Sequence, residues 1–66
     1  MNWDQITGKW HQLKGSARAE WGKLSNSDLD NIQGERETLI GLIQEKYGRT
    51  KEEAEEEIER WREKVS

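Results

Sequence analysis

Four tryptophans constrain the fold of this 66-residue chain more than any other feature. An indole ring buries roughly 150–250 Å² when it enters a core, so a few rings supply much of the apolar area that a very small domain needs. Only 30% of the residues are apolar and 38% are charged, so nearly every large apolar side chain is needed inside. The tryptophans therefore predict one small domain over residues 1–66, with the rings in its core.

The first 24 residues carry an apolar stripe with helical spacing. Its members recur at intervals of three or four and share one face of a helix: Trp3, Ile6, Trp10, Leu13, Ala17, Trp21 and Leu24. Asn2 is a candidate N-cap. Gly22 is expected to end the helix in a left-handed turn, with Leu24 folding back as the hydrophobic partner. The stripe predicts one continuous helix over about residues 3–21.

Capping signals and apolar stripes predict three further helices. Ser25 and Asp28 have the spacing of a capping box, and the short helix after them carries Leu29 and Ile32 inward before it stops at Gly34.

The third helix ends at Gly48 and has apolar residues on two sides: Leu39, Ile40, Leu42, Ile43 and Tyr47. A helix with this pattern touches two neighbours, so it is expected to be the most buried.

Thr50 and Glu53 form the clearest capping box, before a fourth helix with a stripe of Ala54, Ile58, Trp61 and Val65. The chain is therefore predicted to be all-α, with four helices.

Three glycines recur every seven residues and lie nearly opposite the tryptophan stripe of the first helix: Gly8, Gly15 and Gly22. A glycine inside a helix costs about 1 kcal/mol relative to alanine. One interpretation is a flat backbone strip that another helix or an extended ligand approaches closely. The other is that the glycines keep the first helix marginal and bendable, or accept contact from a neighbouring loop.

The net charge of −3 conceals a gradient along the chain. Residues 1–24 carry four basic and two acidic groups, whereas residues 50–66 carry four basic and seven acidic groups. The two segments are expected to attract each other within the fold. The alternative is a basic face that is available to an anionic partner.

Residue types that carry chemistry are nearly absent from the sequence. There is no cysteine, and His11 is the only imidazole, which is expected to be an exposed bystander. The acids of the last helix are expected to form a solvated face, because carboxylates on a regular helix do not converge on Ca²⁺. No serine has a histidine partner, and no glycine-rich phosphate loop is present. The chain is therefore predicted not to be an enzyme, with no catalytic, cofactor-binding or metal-binding residues and no cofactor.

Other partners are also constrained by composition. No segment is long and apolar enough to span a bilayer, and the N-terminus lacks the apolar stretch of a signal peptide, so a soluble cytoplasmic protein is expected. Nucleic-acid binding is the less favoured alternative, because the basic residues of the first helix scatter around it: Lys9, Lys14, Arg18 and Lys23. No specific small molecule is expected.

The chain carries an ordered set of motifs along its length, which includes Trp21-Gly22-x-Leu24, Ile32-x-Gly34, Leu39-x-Gly41-x-Ile43-Gln44, Tyr47-Gly48 and Trp61. Together these motifs resemble those of the CsbD-like family of small bacterial proteins. The resemblance implies a compact four-helix bundle of two packed hairpins, similar to the SAM-domain arrangement. It also implies a role in the general stress response. The family has no accepted catalytic or ligand residues, so the resemblance assigns none here.

The resulting hypothesis is a non-enzymatic stress-response protein that acts through its surface under osmotic or stationary-phase stress. It acts either as a small interaction module with an unknown protein partner or as a bulk protectant. An accessory nucleic-acid-binding protein is the alternative, and a small metal-responsive protein is third.

Overall fold

The computed structural model describes residues 1–65, and this part of the chain forms five α-helices. They are α1 (Trp3–Gly8), α2 (Trp10–Glu20), α3 (Asn26–Ile32), α4 (Arg36–Tyr47) and α5 (Lys51–Lys64). The all-α prediction is confirmed, whereas the count of four helices is wrong. The arrangement as two hairpins similar to a SAM domain stays a prediction.

The extra helix arises because the predicted first helix is interrupted at Lys9. Lys9 has φ −110° and ψ 14°, outside helical geometry, and it separates α1 from α2. Gly8 immediately before it has no side chain and weak helical preference, so a break costs little there. The bend brings α1 back over the loop after α3, where the Thr7 hydroxyl donates a hydrogen bond to the Gly34 carbonyl at 3.0 Å.

The end of α2 also differs from the sequence prediction. Trp21, with φ −125° and ψ 79°, ends the helix, and Gly22 is not in the left-handed region. The predicted left-handed turn at Gly22 is therefore wrong. The chain still folds back as expected, because the Leu24 N–H donates to the Trp21 carbonyl and the Leu24 side chain is buried.

Three of the helices begin with reciprocal capping boxes. The Ser25–Asp28 and Thr50–Glu53 boxes are confirmed, with hydrogen bonds of 2.9–3.1 Å in both directions. Asn2 caps α1 as predicted, and Gln5 completes a third box by accepting from the Asn2 N–H. Each box satisfies two backbone donors that the first turn of a helix leaves unpaired.

The core is built around Trp61 of α5. Its ring centroid lies 6.4 Å from that of Trp3, 6.2 Å from that of Trp10 and 5.5 Å from that of Trp21. Trp21 and Trp61 are each 1% exposed, Trp10 is buried and Trp3 is half-buried. The prediction that the tryptophans form the core is therefore confirmed, with Trp3 at its edge.

The helix α4 packs between α3 and α5, as its two-sided apolar pattern predicts. It buries Leu39, Ile40 and Ile43. Left-handed residues follow α3 and α4, since Gln33 has φ 51° and Gly48 has φ 64°. The predicted helix ends near Gly34 and at Gly48 are confirmed. The turns at these positions separate α3 from α4 and α4 from α5.

Candidate interaction surface

An open groove of about 330 Å³ lies between α2 and α3. Its lining residues are Lys14, Gly15, Arg18, Asn26, Leu29 and Asp30, and we call it the α2–α3 groove. The α2 side supplies two cations and a bare glycine, whereas the α3 side supplies an amide, a carboxylate and the buried Leu29 side chain. The groove therefore combines a small apolar floor with a polar rim that carries two cations, one carboxylate and one amide.

The two cations of the groove are held by α3. The Lys14 ammonium lies 2.7 Å from Asp30 Oδ1, and the Arg18 guanidinium donates a hydrogen bond to Asn26 Oδ1. Both bonds use only part of the donor capacity, since an ammonium has three N–H donors and a guanidinium has five. Both cationic side chains therefore keep donors that face solvent at the rim.

A buried hydrogen bond beneath the groove holds α3 against α2. The indole N–H of Trp10 donates to the Leu29 carbonyl at 2.8 Å, and this bond is buried. Leu29 itself is 3% exposed, so the floor of the groove is part of the core. The sequence analysis did not identify Asn26, Leu29 or Asp30 of α3 as part of a functional surface. The opposite charges of Lys14 and Asp30 could have indicated their proximity, but only if α3 were known to pack along α2.

The three glycines with seven-residue spacing do not share one helix. Gly8 ends α1, Gly15 lies inside α2 and Gly22 follows it. A Cβ placed on any of the three would meet no atom within 4 Å, so no neighbouring loop presses on them. The interpretation that these glycines accept contact from a loop of the same chain is therefore wrong. Gly15 is the one that lines the α2–α3 groove.

The predicted attraction between the basic first segment and the acidic last segment is wrong for most of α5. Lys64 of the last segment does pair with Glu20 of the first at 2.9 Å. In this pair, however, the last segment supplies the basic group and the first segment the acidic one, which is the reverse of the expectation. The acids of α5 pair instead with arginines around α4. Arg36 lies 3.1 Å from Glu55 and 3.5 Å from Glu59, and Arg49 lies 3.0 Å from Glu57. The basic rim of α2 is therefore not covered by α5.

The fold lowers the pKa of three carboxylates. The Ser25 N–H hydrogen bond lowers the pKa of Asp28, and the Thr50 N–H does the same for the pKa of Glu53. The Arg62 guanidinium, 2.7 Å away, lowers the pKa of Glu59. In each case the bond favours the ionised form. All three are explained by caps or ion pairs of the fold, so their shifts do not indicate catalysis.

The remaining candidates do not form a reactive centre in the part of the chain that the structure describes. His11 is exposed on α2, and residues 1–65 contain no group of three or more potential metal-ligating side chains. A second, more polar groove is lined by Arg49, Glu53, Glu56, Glu57 and Arg60. The prediction that the chain has no catalytic, cofactor-binding or metal-binding residues stays a prediction.

The surface of residues 1–65 presents no exposed large hydrophobic side chain. None of the helices in this range is long and apolar enough to cross a membrane.

These features define a class of small all-helical proteins with a tryptophan core, reciprocal capping boxes and a polar surface groove. The model of the CsbD-like family matches residues 4–56. The chain therefore belongs to the CsbD-like family.

Named relatives cover most of the chain. It is 52% identical over 61 residues to UPF0337 protein ECA0631 of Pectobacterium atrosepticum, an alignment that covers 92% of this chain and 88% of the relative. It is 46% identical over 61 residues to UPF0337 protein YjbJ of Escherichia coli K12, with the same coverage. It is 52% identical over 58 residues to a UPF0337 protein of Bordetella pertussis, which covers 88% of each chain. No solved structure matches the chain.

Proposed function

We propose that this protein is a single-domain, non-enzymatic stress-response protein of the cytoplasm that acts as a small interaction module through the α2–α3 groove. The family membership supports the stress role, because the CsbD-like resemblance implies it. The groove supports the choice of an interaction module over a bulk protectant.

The observation that carries the proposal is the bare surface of Gly15. A glycine in the interior of a helix costs about 1 kcal/mol relative to alanine. Within residues 1–65, no atom other than the adjacent backbone of α2 lies within 4 Å of the position that its Cβ would take. Internal packing gives no reason for glycine at position 15 or at position 41, but Gly15 lines the α2–α3 groove, where a bare backbone lets a partner come close beside Lys14 and Arg18.

A bulk protectant makes a different demand on this surface. It depends on charge, solubility and abundance, so a larger side chain at Gly15 leaves its activity unchanged. An interaction module requires the bare backbone, so the same substitution removes its activity. Gly41 provides a matched control, because it lies inside α4, is exposed and has no atom within 4 Å of its Cβ position.

The experiment is complementation under osmotic shock. Cells that lack the endogenous protein express the parent chain, Gly15→Leu or Gly41→Leu at equal levels, and survival after shock is counted. We expect the parent and Gly41→Leu to restore survival and Gly15→Leu to fail, with all three equally helical by circular dichroism. Equal rescue by all three would support the bulk protectant and overturn the interaction module.

Nucleic-acid binding gains no support from the groove. Lys14 is bound by Asp30, and Arg18 by Asn26, so the two cations face an acidic and a neutral partner rather than forming an open basic stripe. The alternative stays a prediction, and its test is steep weakening of binding as salt rises.

A further inference from the structure

We infer that the occupant of the α2–α3 groove is the acidic face of α5 from a second copy of this chain, bound head to tail. This inference rests on the proposed function, since it names the partner of the same surface. It places the contact between the N–H donors that Lys14 and Arg18 keep free beside Asp30 and Asn26, and the carboxylates of α5 that have no partner within residues 1–65.

The acidic face of α5 follows helical spacing. Glu52, Glu56, Glu59 and Glu63 stand at i, i+4, i+7 and i+11 and so share one side of the helix. Glu59 is tied to Arg36 and Arg62. The other three are exposed. Neither Glu52 nor Glu56 takes part in an ion pair or side-chain hydrogen bond within residues 1–65, so both carboxylates are available to a partner.

The spacing of the two charged pairs is the same. Lys14 and Arg18 are four residues apart on α2, and Glu52 and Glu56 are four residues apart on α5. Four residues of α-helix correspond to about 6 Å along the axis, so two helices lying side by side bring both pairs together at once. Gly15 lines the same groove beside the two cations, where its missing side chain lets the backbone of the second helix come close.

The contact is expected to be weak and salt-dependent. Solvent-exposed ion pairs contribute little individually, and the Arg60 guanidinium near Glu56 competes for its carboxylate. Two pairs closed together in a groove with an apolar floor contribute more than either alone. The contact pairs two different surfaces, the groove of one copy and the acidic face of the next, and in the head-to-tail arrangement that we propose it adds copies in a row.

Sedimentation equilibrium of the purified full chain tests this inference. We expect the weight-average mass to exceed the monomer mass at about 1 mM protein and low salt, and to return to the monomer mass at about 0.5 M salt, where the Debye length falls to a few ångströms. A monomer at every concentration, or net repulsion at low salt from the charge of −3, would overturn the inference.

Charge reversal identifies the two surfaces. Lys14→Glu with Arg18→Glu, and separately Glu52→Lys with Glu56→Lys, are each expected to abolish association, whereas Asp4→Lys with Glu45→Lys matches the charge change of the acidic pair and leaves association intact. Mixing the two inactive variants is expected to restore it, because each groove then meets an α5 of opposite charge. No restoration in a mixture of folded variants would overturn the inference.

The outcomes also separate this inference from the proposed function. If the chain stays monomeric while Gly15→Leu still fails to complement, the groove serves a different partner and only the second-copy inference fails. If Gly15→Leu complements fully, the interaction module fails as well.

Discussion

The indole N–H of Trp10 donates to the backbone carbonyl of Leu29 at 2.8 Å, which joins the core of α2 directly to the floor of the α2–α3 groove. Trp21 differs from Trp10 in its hydrogen bonding. Its ring is 1% exposed, yet its indole N–H has no hydrogen-bond partner within residues 1–65. The two buried indoles therefore contribute differently to stability even though both rings pack against Trp61.

Substitution by phenylalanine separates these contributions. Trp10→Phe removes ring volume and leaves the Leu29 carbonyl buried without its donor, whereas Trp21→Phe removes volume together with an unsatisfied donor. An unsatisfied buried polar group costs about 1–3 kcal/mol, so we expect Trp10→Phe to lower the free energy of unfolding by that much more than Trp21→Phe. Urea unfolding of both variants measures the difference. Equal losses would mean that the Trp10 hydrogen bond contributes nothing net.

Trp61→Ala is expected to unfold the domain. The ring contacts three other tryptophans, and its N–H donates to the Ser16 hydroxyl at 3.2 Å. Truncating a buried tryptophan costs about 3–5 kcal/mol, a large part of the stability of a chain this small. Thermal melting followed by circular dichroism checks this, with the half-buried Trp3→Ala as the milder comparison. A melting temperature equal to that of the parent would contradict the central position of Trp61.

Gly15→Ala and Gly41→Ala are both expected to stabilise the protein. Each glycine lies inside a helix, and a Cβ at either position meets no atom within 4 Å. Replacing a helical glycine by alanine contributes about 1 kcal/mol per site. Chemical denaturation of the two single variants and the double variant gives the magnitudes and their additivity. A loss of stability at position 15 would show that its backbone departs from regular helix.

Gly34→Ala is expected to destabilise the protein by more than Gly48→Ala does. Gly34 has φ 78°, and a Cβ there would lie 2.6 Å from the Thr7 Cα, whereas Gly48 has φ 64° and open space around it. Both variants carry left-handed strain, but only Gly34→Ala also pushes α1 away from the loop after α3. Comparing their urea midpoints isolates the steric part. Equal midpoints would indicate that α1 shifts without cost.

Stability is expected to fall in acid because of the lowered pKa values of Asp28, Glu53 and Glu59. Their ordinary values are 3.8, 4.5 and 4.5. A carboxyl group that holds its proton less tightly when folded stabilises the fold fully above its ordinary pKa, and this stabilisation is lost as pH falls through the lower folded value. Glu53→Gln keeps an acceptor for the Thr50 N–H without titrating, so its stability should vary less between pH 7 and pH 3. An unchanged pH dependence in urea titrations would contradict the role of Glu53.

Local signals predicted much of the fold. The boxes Ser25–Asp28 and Thr50–Glu53 fixed two helix starts because capping depends on residues three apart in sequence. Gly48 marked a helix end because its left-handed backbone favours glycine. The break at Lys9 was not predictable from the stripe, since Trp10 continues the helical spacing on both sides of it. The weak helical preference of Gly8 is visible in the sequence, whereas the contact of Thr7 with Gly34 that accompanies the break is set by tertiary packing.

The groove was only partly predictable. The glycine spacing drew attention to Gly15, but the same spacing included Gly8 and Gly22, which the structure places outside α2. The opposite wall depends on how α3 lies against α2, and no local rule determines that orientation. The charge gradient was visible in the sequence, but the prediction that the first segment pairs with the acids of α5 was wrong. Arg36 and Arg49 form ion pairs with those acids instead.

In-cell crosslinking with tagged bait, before and after osmotic shock, tests the central claim that the protein acts through the α2–α3 groove. We expect one near-stoichiometric protein partner, which is a second copy of the chain where α5 of that copy occupies the groove. That partner should be retained by Gly41→Leu and lost from Gly15→Leu. A diffuse set of captured proteins that scales with cellular abundance and is the same for both variants would contradict the claim.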